Sequence, residues 1–182
     1  RLELLRKKLK SVGAIRTIPM RKMRRAIFDG RLHPQFRCDY IRVRDEGTQV
    51  RLSSKIHAKE SGQVSDQKET EVLVEDFAKT VEIIKSMGLE IDRYQETERE
   101  EWEYKGASVV IDVWPWLEPA VEIEGNSENE VKRAAIELGF DWNLRMITSR
   151  VELYMKAYGF DEEETLQRMS HLTFENNPFE GI

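Results

Sequence analysis

Apolar residues recur at helical spacing in some stretches of the chain and alternate with polar ones in others, and these two periods divide it into elements. Leu2, Leu5, Leu9 and Val12 form one helical stripe over Arg1–Val12, with Arg6, Lys7, Lys8 and Lys10 off the stripe and Gly13 as C-terminal cap. Arg16–Asp29 is a basic segment whose end, Ala26–Asp29, predicts a strand, closed by Gly30 and a loop through His33 and Pro34. Tyr40–Lys55 reads as two strands around the turn residues Asp45, Glu46, Gly47 and Thr48, with Tyr40, Ile41, Val43, Val50 and Leu52 as β-branched and apolar fill. Ile56–Gln67 is polar and holds Gly and Ser, which predicts a surface loop or a long hairpin connection.

Lys68–Val74 alternates and predicts a strand, after which Asp76 caps a helix with Phe77, Val81, Ile84 and Met87 on its buried stripe and Gly88 at its end. Leu89–Tyr94 and Glu96–Tyr104 read as two Glu-rich strands carrying Arg93, Arg99 and Trp102. Ala107–Val113 is strongly β-branched, and Trp114–Pro119 bends the chain before another strand at Ala120–Gly125. Ser127 and Glu130 form a capping box that opens a helix through Val131, Ala134, Ala135 and Leu138, stopped by Gly139. Arg145–Tyr158 fits either a closing strand or a helix. Asp161–His171 reads as a helix with Asp161 as cap and Glu162–Glu164 at the positive end of its dipole, and Phe174–Ile182 carries little pattern. The division is a domain over 1–150 and a C-terminal helical extension over 151–182.

One unit recurs: a strand with Glu-x-Glu, an amphipathic helix, then Gly. The last Glu and the closing Gly are 17 residues apart in one copy (71 to 88) and 15 in the other (124 to 139). Projected back from Gly13, the same spacing places a further Glu-x-Glu strand just upstream of residue 1.

Composition changes this picture in one respect. The 182 residues are 40% apolar and 35% charged, a globular balance rich in charge. No apolar run reaches the length of a membrane span and no signal peptide is visible; the one cysteine, Cys38, excludes an intramolecular disulfide and a cysteine-built zinc site, so a reducing cytoplasm is the default compartment. The net charge of −5 hides a split: residues 1–55 hold 16 Lys and Arg against 5 Asp and Glu, whereas residues 56–182 hold 13 against 29. Either a basic nucleic-acid-binding arm is joined to an acidic body, or the two halves neutralise each other across one cavity.

Strand parity favours the second option and disfavours nucleic acid. Arg42 and Arg44 share one strand face, as do Arg51 and Lys55, while Glu69 with Glu71, Asp112, and Glu122 with Glu124 take alternating positions on later strands. Taken singly, the basic pairs fit a solvated sheet face and the Glu pairs fit exposed edge acids. Together they suit a closed antiparallel barrel with a wet, charged interior, whose coherent occupant is a polyphosphate gripped by guanidinium and ammonium groups and bridged to carboxylates by Mg²⁺ or Mn²⁺. Trp114 and Trp116 fit packing at a barrel corner, and His33, His57 and His171 share no ligand spacing. The chain has no G-x-x-x-x-G-K-[ST], no G-x-G-x-x-G and no H-E-x-x-H, so phosphate binding must come from side chains.

The series Arg-Val-Arg, Leu-Ser-Ser-Lys, Glu-Thr-Glu, Arg-x-x-Trp, Val-Val-Ile-Asp-Val and Val-Glu-Ile-Glu-Gly, in this order over roughly Arg1 to Gly139, resembles the CYTH superfamily, the triphosphate tunnel metalloenzymes that include class IV adenylyl cyclases and thiamine triphosphatases. The resemblance implies an α+β fold: an antiparallel eight-stranded β-barrel tunnel with flanking helices. It implies Arg42, Arg44, Lys55 and Arg99 on a triphosphate, to which strand parity adds Arg51. It also implies Glu69, Glu71, Asp112, Glu122 and Glu124 as metal ligands or their support, with Asp112, Glu122 and Glu124 as the catalytic set. The implied cofactor is Mg²⁺ or Mn²⁺, and the implied partner a triphosphate-containing small molecule such as a nucleotide, with a homodimer left open. The activity expected first is hydrolysis of inorganic triphosphate, a nucleoside triphosphate or thiamine triphosphate; formation of cyclic AMP from ATP and non-catalytic binding of triphosphate, polyphosphate or RNA are the alternatives. Two departures stand out: the family's first strand, Glu-x-Glu-x-Lys, is expected upstream of residue 1, and the basic residue usual two positions before Arg99 is Thr97.

Overall fold

Every second residue of Ile15–Asp29 turns to the same side, and this segment forms one 15-residue strand, far longer than the Ala26–Asp29 strand expected. A computed structural model describes residues 2–33, 35–57 and 67–180. The elements run α1 (Leu2–Ser11), β1 (Ile15–Asp29), β2 (Tyr40–Asp45), β3 (Val50–His57), β4 (Gln67–Val74), α2 (Phe77–Ser86), β5 (Arg93–Tyr104), β6 (Ala107–Val113), β7 (Ala120–Glu124), α3 (Glu128–Glu137), α4 (Arg150–Tyr158), α5 (Glu162–Arg168) and β8 (His171–Leu172). Hydrogen bonds order the sheet β4-β3-β2-β1-β5-β6-β7, and β8 adds to β5 in parallel. An antiparallel sheet of seven strands with flanking helices, consistent with the expected fold, is present; β8 joins it from a stretch read as helix, and among the described residues hydrogen bonding does not close the sheet. The expected loop over Ile56–Gln67 loses Ile56, His57 and Gln67 to β3 and β4; residues 58–66, like Pro34, lie outside the described residues.

The chain divides into two compact units, Arg1–Arg21 with Thr97–Thr165 and Lys22–Glu96 with Leu166–Ile182. In the first, strand alternation sends Trp102, Tyr104, Ala107, Val109 and Ile111 to one side, where they bury Leu9 of α1 and Ala134 of α3 together with Leu138. The capping of α3 differs in detail from a full box: Ser127 accepts from the Glu130 N–H at 3.3 Å, but the Glu130 carboxylate takes the Asn126 N–H at 2.9 Å. A buried ion pair ties α1 to β5. Arg6 donates from Nε and Nη2 to Glu100 at 3.0 and 2.8 Å, and Trp102 Nε1 donates to the same carboxylate at 2.7 Å.

In the second unit, Ala26, Phe28 and Val43 of the sheet pack against Phe77 and Ile84 of α2 and against Leu89. Asp76 caps α2 by accepting the Lys79 N–H at 2.9 Å. Met87, placed on the buried stripe by spacing, is 59% exposed, because it is the C-cap residue and no longer follows the helical phase. Leu89–Asp92 is not strand: Gly88 turns the chain at φ 89°, Leu89 drops into the core, and the Asp92 N–H donates to Ile27 O at 2.8 Å before β5 starts. His171 belongs to β8 rather than to a helix, stacked on Tyr94 at 5.5 Å between ring centroids.

Gly30 shows how tightly the chain returns after β1. A Cβ there would lie 2.2 Å from Cys38 O and 3.0 Å from Cys38 Sγ, and the Gly30 N–H donates to the adjacent Asp39 O at 2.9 Å. The loop cannot withdraw without breaking that bond. Gly30→Ala is therefore expected to destabilise the fold by about 1–3 kcal/mol, read as a lowered thermal midpoint; an unchanged midpoint would contradict the packing described.

Candidate functional site

Each unit presents one charged sheet face, and the two differ in sign. In the second unit the register sets Arg25 opposite Arg44, Arg44 opposite Arg51, Arg42 opposite Ser53, Ser53 opposite Glu71, and Lys55 between Tyr40 and Glu69. Residues directly opposite in antiparallel pairs share a face, so Arg42, Arg44, Arg51 and Lys55 all project from one side, as strand parity implied. Glu69 and Glu71 project there too: Arg42 Nη2 donates to Glu69 at 2.9 Å and Arg51 Nη1 to Glu71 at 2.9 Å. The sequence had grouped these two carboxylates with metal ligands, and the structure brings them together with the arginines.

Glu46, read from sequence only as a turn residue, lies 2.6 Å from Arg44 and 3.7 Å from Arg51. Burial raises its carboxyl pKa, but the hydrogen bond from Gln49 and the charges of Arg44 and Arg51 outweigh burial and hold it below the ordinary value. The guanidinium heads are thus paired, while their inner Nε atoms make no hydrogen bond, Arg51 Nε reaching Glu46 only at 3.7 Å. Nε of Arg42, Arg44 and Arg51 and the hydroxyl of Ser53 are buried without a hydrogen-bond partner. Buried donors without an acceptor cost about 1–3 kcal/mol each, and four gathered on one cationic face fit an anion with many oxygens.

In the first unit the register sets Arg99 opposite Asp112, Glu101 opposite Val110, Val110 opposite Glu122, and Ser108 opposite Glu124. Arg99, Asp112, Glu122 and Glu124 therefore share the face away from the core. Arg99 forks onto Asp112, Nε to Oδ1 at 2.9 Å and Nη2 to Oδ2 at 2.8 Å, with Glu122 Oε2 at 3.6 Å. Asp112 is 4% exposed by side chain. Burial alone would raise its pKa, and the hydrogen bond and charge of Arg99, the charge of Arg150 and the Trp114 N–H reverse the shift and keep it ionised below the usual carboxylate range. The Arg99 guanidinium is in turn held protonated by Asp112.

Arg150 is the residue that sequence reasoning missed. It opens α4, settling the strand-or-helix ambiguity of Arg145–Tyr158, and donates from Nη2 to Asp112 Oδ2 at 3.1 Å and to Glu122 Oε1. A signal was present: Ser149 and Glu152 have the same Ser-x-x-Glu spacing as Ser127 and Glu130, and they form a complete capping box.

Among the described residues, no group of three or more His, Cys, Asp or Glu is arranged to hold a metal ion. The donor chemistry nevertheless suits Mg²⁺ or Mn²⁺. Oxygens of Asp112 and Glu122 converge on one cation position, marked by Arg150 Nη2, and Mg²⁺ commonly takes one or two protein carboxylates and completes its shell with water and phosphate oxygens. Glu124 is exposed on the same face and makes no ion pair among the described residues. No helix is long and apolar enough to cross a membrane among those residues.

Comparison with known proteins fits this geometry. The sequence profile of the CYTH domain matches residues 27–152. A conserved hypothetical protein from Pyrococcus furiosus superposes with a TM-score of 0.60 at 19% identity, covering 84% of this chain and 94% of that one. A protein from Pyrococcus horikoshii OT3 gives 0.60 at 16% identity, covering 84% and 93%. A candidate adenylate cyclase from Vibrio parahaemolyticus gives 0.57 at 11% identity, covering 84% and 91%. At these identities the structures show a shared fold. No curated protein matches the sequence.

Proposed function

Because the chain belongs to the CYTH domain family, we propose that it is an enzyme that hydrolyses a triphosphate with the help of a divalent metal ion, the substrate being inorganic triphosphate, a nucleoside triphosphate or thiamine triphosphate. The observation that carries the reading is the set of buried donors without a hydrogen-bond acceptor, Nε of Arg42, Arg44 and Arg51 and the Ser53 hydroxyl, on a face that also bears Lys55. Guanidinium groups match phosphate oxygens in charge and fork geometry, and a triphosphate offers enough oxygens to satisfy several at once.

Arg42, Arg44, Arg51, Lys55 and Arg99 are the phosphate-binding groups in this reading. They balance negative charge as water forms a bond to the terminal phosphorus and the bridging P–O bond breaks, leaving diphosphate or its ester and orthophosphate. Asp112, Glu122 and Glu124 are the metal-holding and catalytic carboxylates, with Glu69 and Glu71 in support. When bound, Mg²⁺ or Mn²⁺ supplies Lewis-acid stabilisation of charge on the phosphoryl oxygens. A second reading, attack by a ribose hydroxyl on the α-phosphorus of ATP with loss of pyrophosphate, uses the same groups, and the fold shared with the Vibrio protein favours testing it.

One assay separates the readings. The protein is incubated with Mg²⁺ or Mn²⁺ and with triphosphate, ATP or thiamine triphosphate, and phosphate, pyrophosphate and cyclic AMP are resolved. Metal-dependent release of phosphate is the expected result. Cyclic AMP with pyrophosphate would replace hydrolysis by cyclisation, and tight binding without turnover of any substrate would overturn both.

A further inference from the structure

The guanidinium of Arg150 sits where two carboxylates from neighbouring strands converge. The Ser149 side chain accepts the Glu152 N–H at 3.1 Å and the Glu152 carboxylate accepts the Ser149 N–H at 2.9 Å, so backbone hydrogen bonds fix where α4 begins. Four and eight residues on, along the same helical face, Tyr154 and Tyr158 donate to Pro115 O and Trp116 O, each at 2.5 Å. The helix is thus pinned to the turn after β6 independently of Arg150. From this support the arginine lies over the Trp114 ring, 5.6 Å from its centroid, and its Nη2 bridges Asp112 of β6 and Glu122 of β7.

We propose that Arg150 is a built-in cation for the Asp112–Glu122 pair that a divalent metal ion must displace, so that the first turn of α4 sets how readily metal enters. The inference rests on the reading of Asp112 and Glu122 as metal ligands. Two carboxylates aimed at one point repel unless a cation lies between them, and in the metal-free protein Arg150 Nη2 takes that place, with Arg99 Nη2 beside it, 2.8 Å from Asp112 and 3.6 Å from Glu122. A divalent ion needs carboxylate oxygens at about 2 Å, so it and Nη2 cannot hold the same position. Arg99 keeps its two-bond fork on Asp112 and so keeps that carboxylate aimed after Arg150 leaves. Because Tyr154 and Tyr158 anchor the helix, exchange requires only the Arg150 side chain to swing away.

The test is a Mn²⁺ titration of the protein without substrate, with free Mn²⁺ followed by electron paramagnetic resonance, beside thermal melting in metal-free buffer. Arg150→Gln is expected to bind Mn²⁺ about tenfold more tightly than the parent, the ratio given by about 1.4 kcal/mol of relieved competition, and to melt lower in metal-free buffer. Arg150→Lys, which keeps the charge and shortens the reach, is expected to fall between them and serves if the Gln variant fails to fold. Equal or weaker Mn²⁺ binding by a folded Gln or Lys variant would overturn the competition and leave the metal reading standing. Absence of Mn²⁺ binding in parent and variants alike would overturn both.

Discussion

Glu122→Gln combined with Glu124→Gln is expected to lower metal-dependent turnover by at least about a hundredfold while leaving the thermal midpoint close to that of the parent. The two side chains occupy alternate positions on β7, and the residues between and beside them, Val121 and Ile123, pack into the core on the opposite face. Gln keeps the size of each side chain but removes the charge that a hard divalent cation requires. The stability effect is small for a separate reason: the Glu122 side chain is 37% exposed and Glu124 more so, and ion pairs at that exposure contribute no more than about 1 kcal/mol. Steady-state rates with Mg²⁺ or Mn²⁺, taken beside a circular-dichroism melt, check both halves. Full activity in the double variant would remove these carboxylates from the metal assignment.

The largest loss of stability is expected at Glu100. Its side chain is fully buried and accepts from Arg6 and from Trp102 Nε1. Glu100→Ala leaves a buried indole N–H without an acceptor and a guanidinium, 21% exposed, without its main counter-charge. Breaking a buried pair from one side costs about 3–5 kcal/mol. Arg6 also holds Glu3 at 2.6 Å near the surface, which offers the guanidinium a fallback and places the loss near the lower end of that range. A fall in midpoint of about 10 °C follows for a chain of this length. Replacing both partners by apolar residues, Arg6→Met with Glu100→Leu, is expected to recover much of it, because no buried charge is then stranded. If Glu100→Ala melts within a degree or two of the parent, the pair does not carry the attachment of α1.

The charged faces illustrate how far local pattern reaches. Parity alone placed Arg42 with Arg44 and Glu122 with Glu124, because a strand repeats every two residues regardless of what surrounds it. Caps were legible for the same reason: Asp76 and Ser127 bond to N–H groups within three residues. Where neighbouring residues left two patterns open, the sequence misled or stayed silent. Leu89–Asp92 looked like strand and became a buried loop, Met87 fell outside its helix by one residue, and the two strands read between Leu89 and Tyr104 are one strand beginning at Arg93.

The sequence by itself determined the period of most elements, which residues share a strand face, the order of motifs that marks the family, and the candidate phosphate and metal groups. Tertiary structure alone decided which charges meet. Arg6 finds Glu100 across 94 positions, Arg42 finds Glu69 across 27 and Arg150 finds Glu122 across 28. Such partners are selected by sheet register and helix docking, which depend on packing over the whole unit, whereas periodicity records only the few residues on either side. For that reason the Ser149–Glu152 spacing could mark where α4 begins, but the partners of Arg150, the residue that sits on the candidate metal position, emerged only once α4 was in place.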